Sequence, residues 1–536
     1  ICGSRLIHES KVIYGSKVIH GSKVIREAGV KRDRISALGI RSFLRIPGFE
    51  AAVWAGFWQS GAVNNRKQLK CGRKTYKMGC KLKSIKSRIR SFGTIMRKRI
   101  VIIGGGASGL TAAIGGARNG AHVTIVEHMD RVGKKILSTG NGRCNLTNLR
   151  MEADCYRCGR KEFPMEVIRG FGVDETLAFF KGLGIEPKDR NGYIYPNSDQ
   201  ASAVLDVLRS EVERLGVAVL LSCRVEKIEP AAGGGHVCYK VYTDQGILDA
   251  DAVILAAGSK AAPSTGSDGS GYELAGRLGH RVIKPLPALV QLRCQGNLYR
   301  QMAGIRTEAG VKLMAAGELL ARDRGELQLT DYGLSGIPVF QVSRFAARAL
   351  DQGKRVTALV DFMPSWDDGE AFGLLKKRAS LLGHKTVEEL FTGLLNKKLA
   401  LVLIKLAGIK PSQKSGDLSP KQLKLLLGQI KSYEAIVMSV NPFANAQVCC
   451  GGVDTGEVDA ATMESRLHAN LYLAGELLDV DGICGGYNLQ FAWSSGMIAG
   501  THAAGGHSVG KHEAGANKAA AHGAYAPAPD GKRNRK

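Results

Sequence analysis

The chain has 536 residues, of which 44% are hydrophobic, so it is long enough for two or three domains with ordinary apolar cores. Its formal net charge is +27, but +17 of that charge lies in residues 1–95 and +4 in residues 505–536. The core, residues 96–504, keeps only +6 and has no run of about 18 apolar residues, so we expect neither nucleic-acid binding nor a membrane span there.

Residues 1–95 differ in composition from the rest of the chain. Residues 10–27 contain a six-residue repeat with too few copies for a solenoid core, and residues 66–99 are dense in Lys and Arg. Met96 opens a segment that looks like a natural start, because a buried strand follows it directly. We therefore expect residues 1–95 to be upstream sequence translated in error or a disordered extension. A basic targeting or nucleic-acid-binding arm is the alternative.

The next stretch has the order strand, glycine-rich turn, helix, strand and acid. Arg99–Gly104 is an apolar, β-branched run typical of a buried parallel strand. A G-x-G-x-x-G turn and a helix, Leu110–Asn119, follow it. The strand His122–Val126 then ends at Glu127, whose carboxylate can accept hydrogen bonds from ribose hydroxyls. A glycine-rich structural turn is the alternative, but the complete order favours a dinucleotide site.

The residues of this turn have distinct physical roles. Gly104 permits the tight turn, Gly106 lets the backbone approach a pyrophosphate, and Gly109 lets the helix pack close to the strand. The start of the helix, at Ala107 and Ser108, offers free N–H groups and the positive end of the helix dipole to phosphates.

A polar loop punctuated by glycines, residues 133–148, comes next. Its backbone N–H groups and polar side chains can wrap a phosphate or the edge of a flavin, although a plain surface loop is the alternative. The cofactor contacts predicted in this loop are Lys135, Asn141, Gly142, Arg143, Cys144 and Asn145.

The chain has 12 cysteines, scattered rather than arranged as a disulfide framework. Only Cys155 and Cys158 have the C-x-x-C spacing, and a zinc site would need a second pair. We expect no metal and ordinary reduced thiols; a redox role would require this pair to face the cofactor.

Between residues 163 and 285 helices and strands alternate. The patterns predict helices over Phe163–Leu183 and Ala201–Leu215, and strands over Val217–Ile228, His236–Thr243 and Ala252–Ala257. The buried strand leads back towards the cofactor, so we expect Val225, Ala257 and Gly258 to contact it. Thr265–Gly271 opens a helix but lacks a βαβ unit and a distal acid, which argues against a second nucleotide domain.

A Pro-Leu-Pro sequence at 285–287 marks a boundary. Leu289–Met363 is rich in short strands, which predicts a small β-barrel or sheet inserted into the first domain. Within it, Leu329–Pro338 is a turn that leads to a helix, Val339–Leu350. Residues 367–440 have the Leu and Lys spacing of solvated helices.

The chain then returns to the first domain through a strand, Leu471–Glu476. A Gly-Gly pair at 485–486 opens a last helix that runs to about Ala504, and residues after 505 are expected to be disordered. The N-terminus of this helix is placed to stabilise negative charge on the pyrimidine edge of a flavin. The contacts predicted here are Gly475, Glu476, Gly485, Gly486, Tyr487, Asn488 and Gln490.

Together these motifs resemble a family of bacterial FAD-dependent oxidoreductases that carry an inserted domain in a glutathione-reductase-like FAD fold. Its members are labelled NAD(P)/FAD-dependent oxidoreductase, aminoacetone-oxidase-like or bile-acid dehydro-reductase type. The resemblance covers residues 96–504 and rests on the G-x-G-x-x-G turn, residues 133–148, Gly266–His280 and Gly475–Gly500. It implies that FAD fills the Rossmann site, and that the protein is cytoplasmic.

The fold class implied by the resemblance is α/β: a Rossmann-like, glutathione-reductase-type FAD domain that is discontinuous, with an inserted β-barrel-like domain and a helical subdomain. The expected limits are 96–285 and 447–504 for the FAD domain, 286–366 for the β-rich insert and 367–446 for its helical part.

The implied activity is transfer of hydride from NADH or NADPH through FAD to a small organic acceptor, such as the activated C=C bond of a 3-oxo steroid-like compound. A flavin amine oxidase that uses O₂ and a non-catalytic flavin-binding RNA or protein interaction factor are the alternatives. Candidate proton donors are Asp331, Tyr332, Tyr487 and His280, for each of which a packing role is the alternative. The family pattern has Thr-His and Pro where this chain has Thr330-Asp331 and Ile337, which would alter specificity or the proton donor if the insert faces the substrate.

Overall fold

The computed structural model describes residues 11–14, 17–20, 97–233 and 236–506. The chain divides into two compact units, Ile1–Thr94 and Ile95–Lys536. In the first unit the repeat forms an antiparallel strand pair, Lys11–Tyr14 with Lys17–His20. The other expectations for residues 1–95, and the expected disorder after 505, fall almost wholly outside the described residues.

The second unit is organised around a five-stranded parallel sheet whose central strands are short, apolar and buried. In spatial order its strands are Leu471–Leu473, Ala252–Leu255, Arg99–Ile103, His122–Val126 and Ala218–Leu220. This sheet confirms the Rossmann-like prediction.

Two helices, Ala107–Arg118 and Tyr487–Ala503, pack closely against each other beside this sheet. They can approach because small residues lie at the crossing. A Cβ atom on Gly500 would lie only 2.0 Å from the carbonyl oxygen of Ala112. The first and last helices of the core therefore form one layer.

Smaller elements complete this half of the unit. The strand predicted over Val217–Ile228 is two strands, because the chain turns at Ser222, whose φ is +50°, and leaves the parallel sheet. An antiparallel sheet follows: Val225–Gly233, His236–Thr243 and Gly246–Ala250. The helices are Phe163–Gly170, Val173–Gly182, Ala201–Arg214 and Ser270–Arg277. The remaining strands are Thr147–Asn148, Pro187–Arg190 and Tyr193–Pro196 in one sheet, and Tyr156–Cys158 paired with Val480–Gly482.

The inserted part contains a closed six-stranded barrel with its own apolar core. In order around the barrel its strands are Leu292–Cys294, Gly333–Gly336, Glu318–Leu329, Arg306–Ala315, Val356–Asp361 and Tyr433–Val440. The last strand lies in the range expected to be helical, and it closes the barrel by pairing with Leu292–Cys294 and Val356–Asp361. The helix Ile337–Asp351 packs Val339 and Val342 into the same core.

The helical part of the insert lies between the fifth and sixth barrel strands. Its helices are Asp368–Leu381, Val387–Leu390, Lys397–Leu406 and Pro420–Lys431. A short helix, Tyr299–Met302, precedes the barrel strand Arg306–Ala315. The fold class is confirmed as mixed α/β with an inserted barrel, whereas the domain limits stay predictions. None of the helices in the described residues combines the length and apolar character that crossing a membrane requires.

The insert joins the rest of the unit through an antiparallel strand pair. Val282–Ala288 leads towards the barrel and Val448–Val453 leads back from it, with Ala288 opposite Val448. We call this strand pair the neck.

Candidate active site

A cavity of about 660 Å³, called the main cavity below, lies at the carboxyl ends of the parallel strands. Ile103, Val126 and Ala256, which end or follow three of those strands, line its base. Loop 133–146 and parts of the insert line the other sides. In open α/β sheets this edge is where ligands bind.

The glycine-rich turn shapes one end of the main cavity. Gly104 has a φ of +101°, and a Cβ atom on it would lie 2.5 Å from the carbonyl oxygen of Ala256. A Cβ atom on Gly106 would meet no atom within 4 Å, since the space above this residue is open. Gly109 does not line the cavity, because it packs against the carbonyl oxygen of Gly104, only 1.9 Å from where its Cβ would be. The turn thus leaves room for a phosphate group directly over the backbone.

The helix Ala107–Arg118 begins at this open space. Ala107 and Ser108 line the main cavity, and their N–H groups are among the first-turn donors that lack an intrahelical acceptor. The first turn carries no acidic residue, so nothing in it competes with an anion. The space over Gly106 and these free donors fit the pyrophosphate of a dinucleotide.

Glu127 is buried and lines the main cavity. Its Oε2 accepts a hydrogen bond from the N–H of Gly105 at 2.8 Å, and its Oε1 accepts one from the N–H of Met129 at 2.9 Å. The carboxylate therefore holds the turn in place. Each carboxylate oxygen retains a lone pair, so ribose binding by Glu127 stays a prediction.

Two oppositely charged side chains of the main cavity lining form a salt bridge. Lys135 Nζ lies 2.6 Å from Glu476 Oε2, and Ser259 Oγ donates to the same oxygen at 3.0 Å. Lys135 and Glu476 both line the cavity. Gly475 does not, because it packs against Ser108, whose Oγ lies 2.4 Å from where a glycine Cβ would be.

The far end of the main cavity is formed by the start of the helix Tyr487–Ala503. Gly485, Gly486 and Asn488 line it. The N–H of Gly486 donates to the side-chain oxygen of Asn145 at 3.2 Å, while the Asn145 amide nitrogen donates to two backbone carbonyls at 3.0 Å. This contact fixes the polar loop against the helix start.

Most of the other predicted cofactor contacts also reach the main cavity. Those that line it are Asn141, Arg143, Val225, Ala257 and Gly258. Gly142 and Cys144 do not line it. Cys144 is fully buried, and burial raises the pKa of its thiol to about 12.

Tyr487 and Gln490 lie on the far side of the helix from the main cavity and fasten that helix to its neighbours. The ring of Tyr487 packs edge-on against Tyr156, with 5.9 Å between centroids. Gln490 is fully buried, and its amide nitrogen donates to the hydroxyls of Thr176 and Ser494 at 2.9 Å.

The other proton-donor candidates lie outside the main cavity lining. Asp331 is exposed, and the Tyr332 hydroxyl accepts a hydrogen bond from Asn441 Nδ2 at 3.0 Å. His280 is buried, with Nδ1 2.9 Å from Glu457 and Nε2 3.0 Å from Ser465 Oγ. Burial lowers the pKa of His280, which favours a neutral imidazole with a packing role.

Two tyrosines that the sequence analysis missed line the main cavity. Tyr193 and Tyr195 lie on the same face of a hairpin strand. The signal for this hairpin was Asn191-Gly192, which joins its strands as a two-residue turn with both φ angles positive.

The insert contributes a second missed group, from the first turn of the helix Ile337–Asp351. Ile337 and Phe340 line the main cavity, and Leu289 and Val448, from the neck region, line it too. Ile337, at which the sequence analysis expected a difference from the family pattern, thus belongs to this lining. No local pattern could have placed these side chains, because their position depends on how the barrel docks.

The described cysteines do not form a redox pair beside the main cavity. All those described are free, and Cys158 lies elsewhere, with its Sγ 3.2 Å from Thr455 Oγ1. Cys484 does line the main cavity, but burial raises the pKa of its thiol to about 12. Within the described residues, no cluster of three or more His, Cys, Asp or Glu side chains is arranged to hold a metal ion.

Comparisons with known proteins agree with this geometry. The sequence profile of a family described as HI0933-like protein Rossmann domain matches residues 98–502, and that of pyridine nucleotide-disulphide oxidoreductases matches residues 37–144. The chain is 47% identical to the 3-dehydro-bile acid delta(4,6)-reductase of Clostridium scindens over 408 residues, which cover 76% of this chain and 99% of that protein. It is 28% identical to the ribosomal RNA dihydrouridine synthase of Haemophilus influenzae over 398 residues, 74% of this chain and 96% of that protein.

One solved structure found by the same comparisons is a 3-ketosteroid-delta4-(5alpha)-dehydrogenase from Rhodococcus jostii RHA1 in complex with 4-androstene-3,17-dione. It covers 77% of this chain and 98% of its own, with 16% identity and a TM-score of 0.38.

Proposed function

Because the chain belongs to the HI0933-like protein Rossmann family, we propose that this FAD-dependent oxidoreductase passes hydride from NADH or NADPH to the conjugated C=C bond of a 3-oxo steroid-like acceptor. The relative that shares 47% identity is named for reduction of such bonds in a 3-dehydro-bile acid, and the match spans 99% of that protein. The relative that shares 28% identity is named for synthesis of dihydrouridine in RNA. Both products result from saturation of a C=C bond next to a carbonyl group.

The observation that carries the proposal is the apolar wall formed by Ile337 and Phe340. Ile337 keeps 55% of its surface exposed, although it lines the main cavity. A large aliphatic side chain gains free energy when a ligand covers it. The Gly485–Gly486 turn, where the flavin ring is expected, lines the same cavity beside this wall, since the N–H of Cys484 donates to Gln341 Oε1 at 3.0 Å. A flat apolar acceptor fits against the wall, next to the expected position of the ring.

When bound, FAD supplies a two-electron carrier that takes hydride from a nicotinamide and gives it to the acceptor carbon. The residues of the chain would bind the cofactor and orient it towards the acceptor. The free N–H groups at Ala107 and Ser108 hold the pyrophosphate, and the first turn of the helix Tyr487–Ala503 stabilises negative charge at the ring. Saturation of the double bond also needs one proton at the carbon α to the carbonyl group.

Tyr193 and Tyr195 replace the earlier candidates as donors to the acceptor, because their side chains line the main cavity. Burial raises the pKa of Tyr195, which keeps its phenol protonated at neutral pH and able to give that proton to the carbon α to the carbonyl group.

The test is anaerobic reduction of the purified flavoprotein, followed by mixing with candidate oxidants. NADH or NADPH should bleach the visible flavin band, and a 3-oxo-4,6-diene steroid should restore it, with one of its two conjugated C=C bonds reduced for each flavin reoxidised. Y193F and Y195F separate the two tyrosines, and Y242F, on the antiparallel sheet and outside the cavity lining, is the matched control.

Reoxidation by O₂ but not by the dienone, together with bleaching by an amine, would contradict the proposal in favour of the amine oxidase. Reoxidation only by uridine-containing ribosomal RNA would assign the acceptor to RNA. A flavin that neither nicotinamide nor amine reduces would leave the non-catalytic binding factor.

A further inference from the structure

A second cavity, of about 450 Å³, shares no lining residue with the main cavity. Its residues include none of the predicted cofactor contacts. Four cationic side chains line it, those of Arg157, Lys161, Arg344 and Arg348. The lining also contains one acid, Asp154. We call it the basic cavity.

We propose that the basic cavity binds the phosphate-bearing end of the reduced nicotinamide dinucleotide and prefers a ribose 2′-phosphate, so that NADPH rather than NADH is the reductant. This inference rests on the proposed function, because it names the donor of the hydride and the residues that would select it.

Buried acids compensate two of the four cations. Arg344 binds Asp481 through two nitrogens, at 2.7 and 2.8 Å, and Arg348 lies 3.6 Å from Asp479. Both aspartates are almost fully buried, so these pairs are structural and orient the two guanidinium groups.

The other two cations keep their charge available. The Arg157 guanidinium donates to the backbone carbonyls of Asp154 and Tyr156, and its carbon lies 5.9 Å from the ring centre of Phe345. These neutral contacts position the guanidinium without neutralising it. Among the described residues, neither Arg157 nor Lys161 has a carboxylate within 4.0 Å.

The remaining acid of the lining is already paired. Asp154 lies 2.5 Å from Arg150, which also binds Glu152 at 3.0 Å. The basic cavity therefore presents an excess of positive charge in a concave, partly buried setting. Such a site favours an anion that can accept several charge-assisted hydrogen bonds, and a phosphate monoester provides three acceptor oxygens.

Two elements connect the basic cavity to the main cavity. The helix Ile337–Asp351 places Phe340 in the main cavity, and Arg344 and Arg348 in the basic cavity. At about 1.5 Å of rise per residue, these arginines lie about 6 and 12 Å further along the helix than Phe340. That separation is within the length of an extended dinucleotide.

The second connection is the strand pair of Tyr156–Cys158 with Val480–Gly482. Tyr156 and Arg157 line the basic cavity, and three residues after Gly482 the chain reaches Gly485 in the main cavity. A nicotinamide ring stacked at the flavin end would extend its phosphate-bearing end along these two elements to reach the basic cavity.

The test measures equilibrium binding of NADP⁺ and NAD⁺ to the oxidised, FAD-loaded enzyme by calorimetry, with R157Q and K161Q as variants. Arg344 and Arg348 are left intact, because their substitution would strand buried aspartates. Each variant should weaken NADP⁺ binding about 10-fold and leave NAD⁺ binding unchanged, as expected for loss of one charge-assisted contact to the 2′-phosphate. R169Q is the control, because Arg169 is exposed on the helix Phe163–Gly170 and lies outside the lining of the basic cavity.

Wild-type enzyme that binds NAD⁺ as tightly as NADP⁺ would overturn the inference, as would variants that bind NADP⁺ normally or weaken both nucleotides equally. The outcome is separable from the proposed function, since dithionite-reduced enzyme needs no nicotinamide. If the dienone reoxidises that enzyme while the NADP⁺ result is negative, the acceptor assignment stands and only the basic-cavity inference fails.

Discussion

The two walls of the main cavity offer different chemical groups to a ligand. The Rossmann wall uses backbone: an open turn at Gly106 and the starts of two helices, with side chains such as Glu127 holding that backbone in place. The insert wall uses apolar side chains, Ile337 and Phe340, carried by a helix that packs on a barrel. Backbone recognition depends little on side-chain identity, whereas side-chain recognition can change with the acceptor.

Among the substitutions that distinguish the role of the Rossmann wall from that of the insert wall, G106L should have the largest effect. A Cβ atom at Gly106 meets nothing within 4 Å, so the protein should fold while the new side chain occupies the pyrophosphate space. We expect the purified variant to lose nearly all of its flavin, measured as the ratio of visible to ultraviolet absorbance. G276L is the control, because Gly276 is exposed, also meets nothing within 4 Å and lies outside the cavity. Full flavin content in G106L would contradict the assignment of this wall.

A smaller and more selective effect is expected from F340A. Loss of an aromatic face that a ligand covers costs about 1.5–3 kcal/mol, which is roughly a 10- to 100-fold rise in KM for the dienone. Flavin content and the rate of flavin reduction should stay within about twofold of wild type. L381A is the control, since Leu381 belongs to the insert but is exposed to solvent. An equal loss of rate in flavin reduction and in reoxidation by the dienone would show that Phe340 acts through the stability of the fold rather than by contact with the acceptor.

Ionisation of one carboxyl group on the Rossmann side, that of Glu211, should contribute about 1–2 kcal/mol to the free energy of unfolding. Arg214 and then Arg118 bind Glu211 and lower its pKa to about 2. A carboxyl group whose pKa is depressed in the folded state stabilises the protein above its unfolded pKa, and that contribution is lost as pH falls from about 4.5 to 2.

Denaturant unfolding at pH 7 and pH 3 measures this contribution. E211Q should be destabilised at pH 7 and differ less from wild type at pH 3, whereas E213Q, an exposed neighbour on the same helix, should match wild type at both. A constant difference between E211Q and wild type would contradict the role of ionisation.

The smallest effect concerns Cys484, which lines the main cavity and has no role in the proposed reaction. Because burial raises the pKa of its thiol to about 12, the thiol should stay protonated and resist iodoacetamide at pH 8. C484S should reduce and reoxidise within about twofold of wild type. A thiolate–flavin charge-transfer band that disappears in C484S would contradict this expectation.

The same contrast explains what could be predicted from sequence. The turn at Gly104–Gly109 and the helix start at Gly486 depend on local backbone conformation, which glycine positions reveal. The barrel as a class was predictable from strand patterns, but its closure by Tyr433–Val440 was not, because that pairing joins distant segments. Side chains that lie near a motif in sequence need not point into the cavity, as Tyr487 and Gln490 illustrate.

The neck has a consequence for how the fold can change. Since Ala288 and Val448 are directly opposite partners, the whole insert has the topology of a hairpin loop. Its two ends meet at the spacing of neighbouring strands, so a much longer or shorter segment could be spliced between them without moving the parallel sheet. Loop-closure entropy grows only slowly with length, so a change in the length of the insert costs little in itself. The neck is therefore a natural graft junction for a new insert, provided that the new insert also supplies partners for the buried Asp479 and Asp481, which Arg344 and Arg348 now supply.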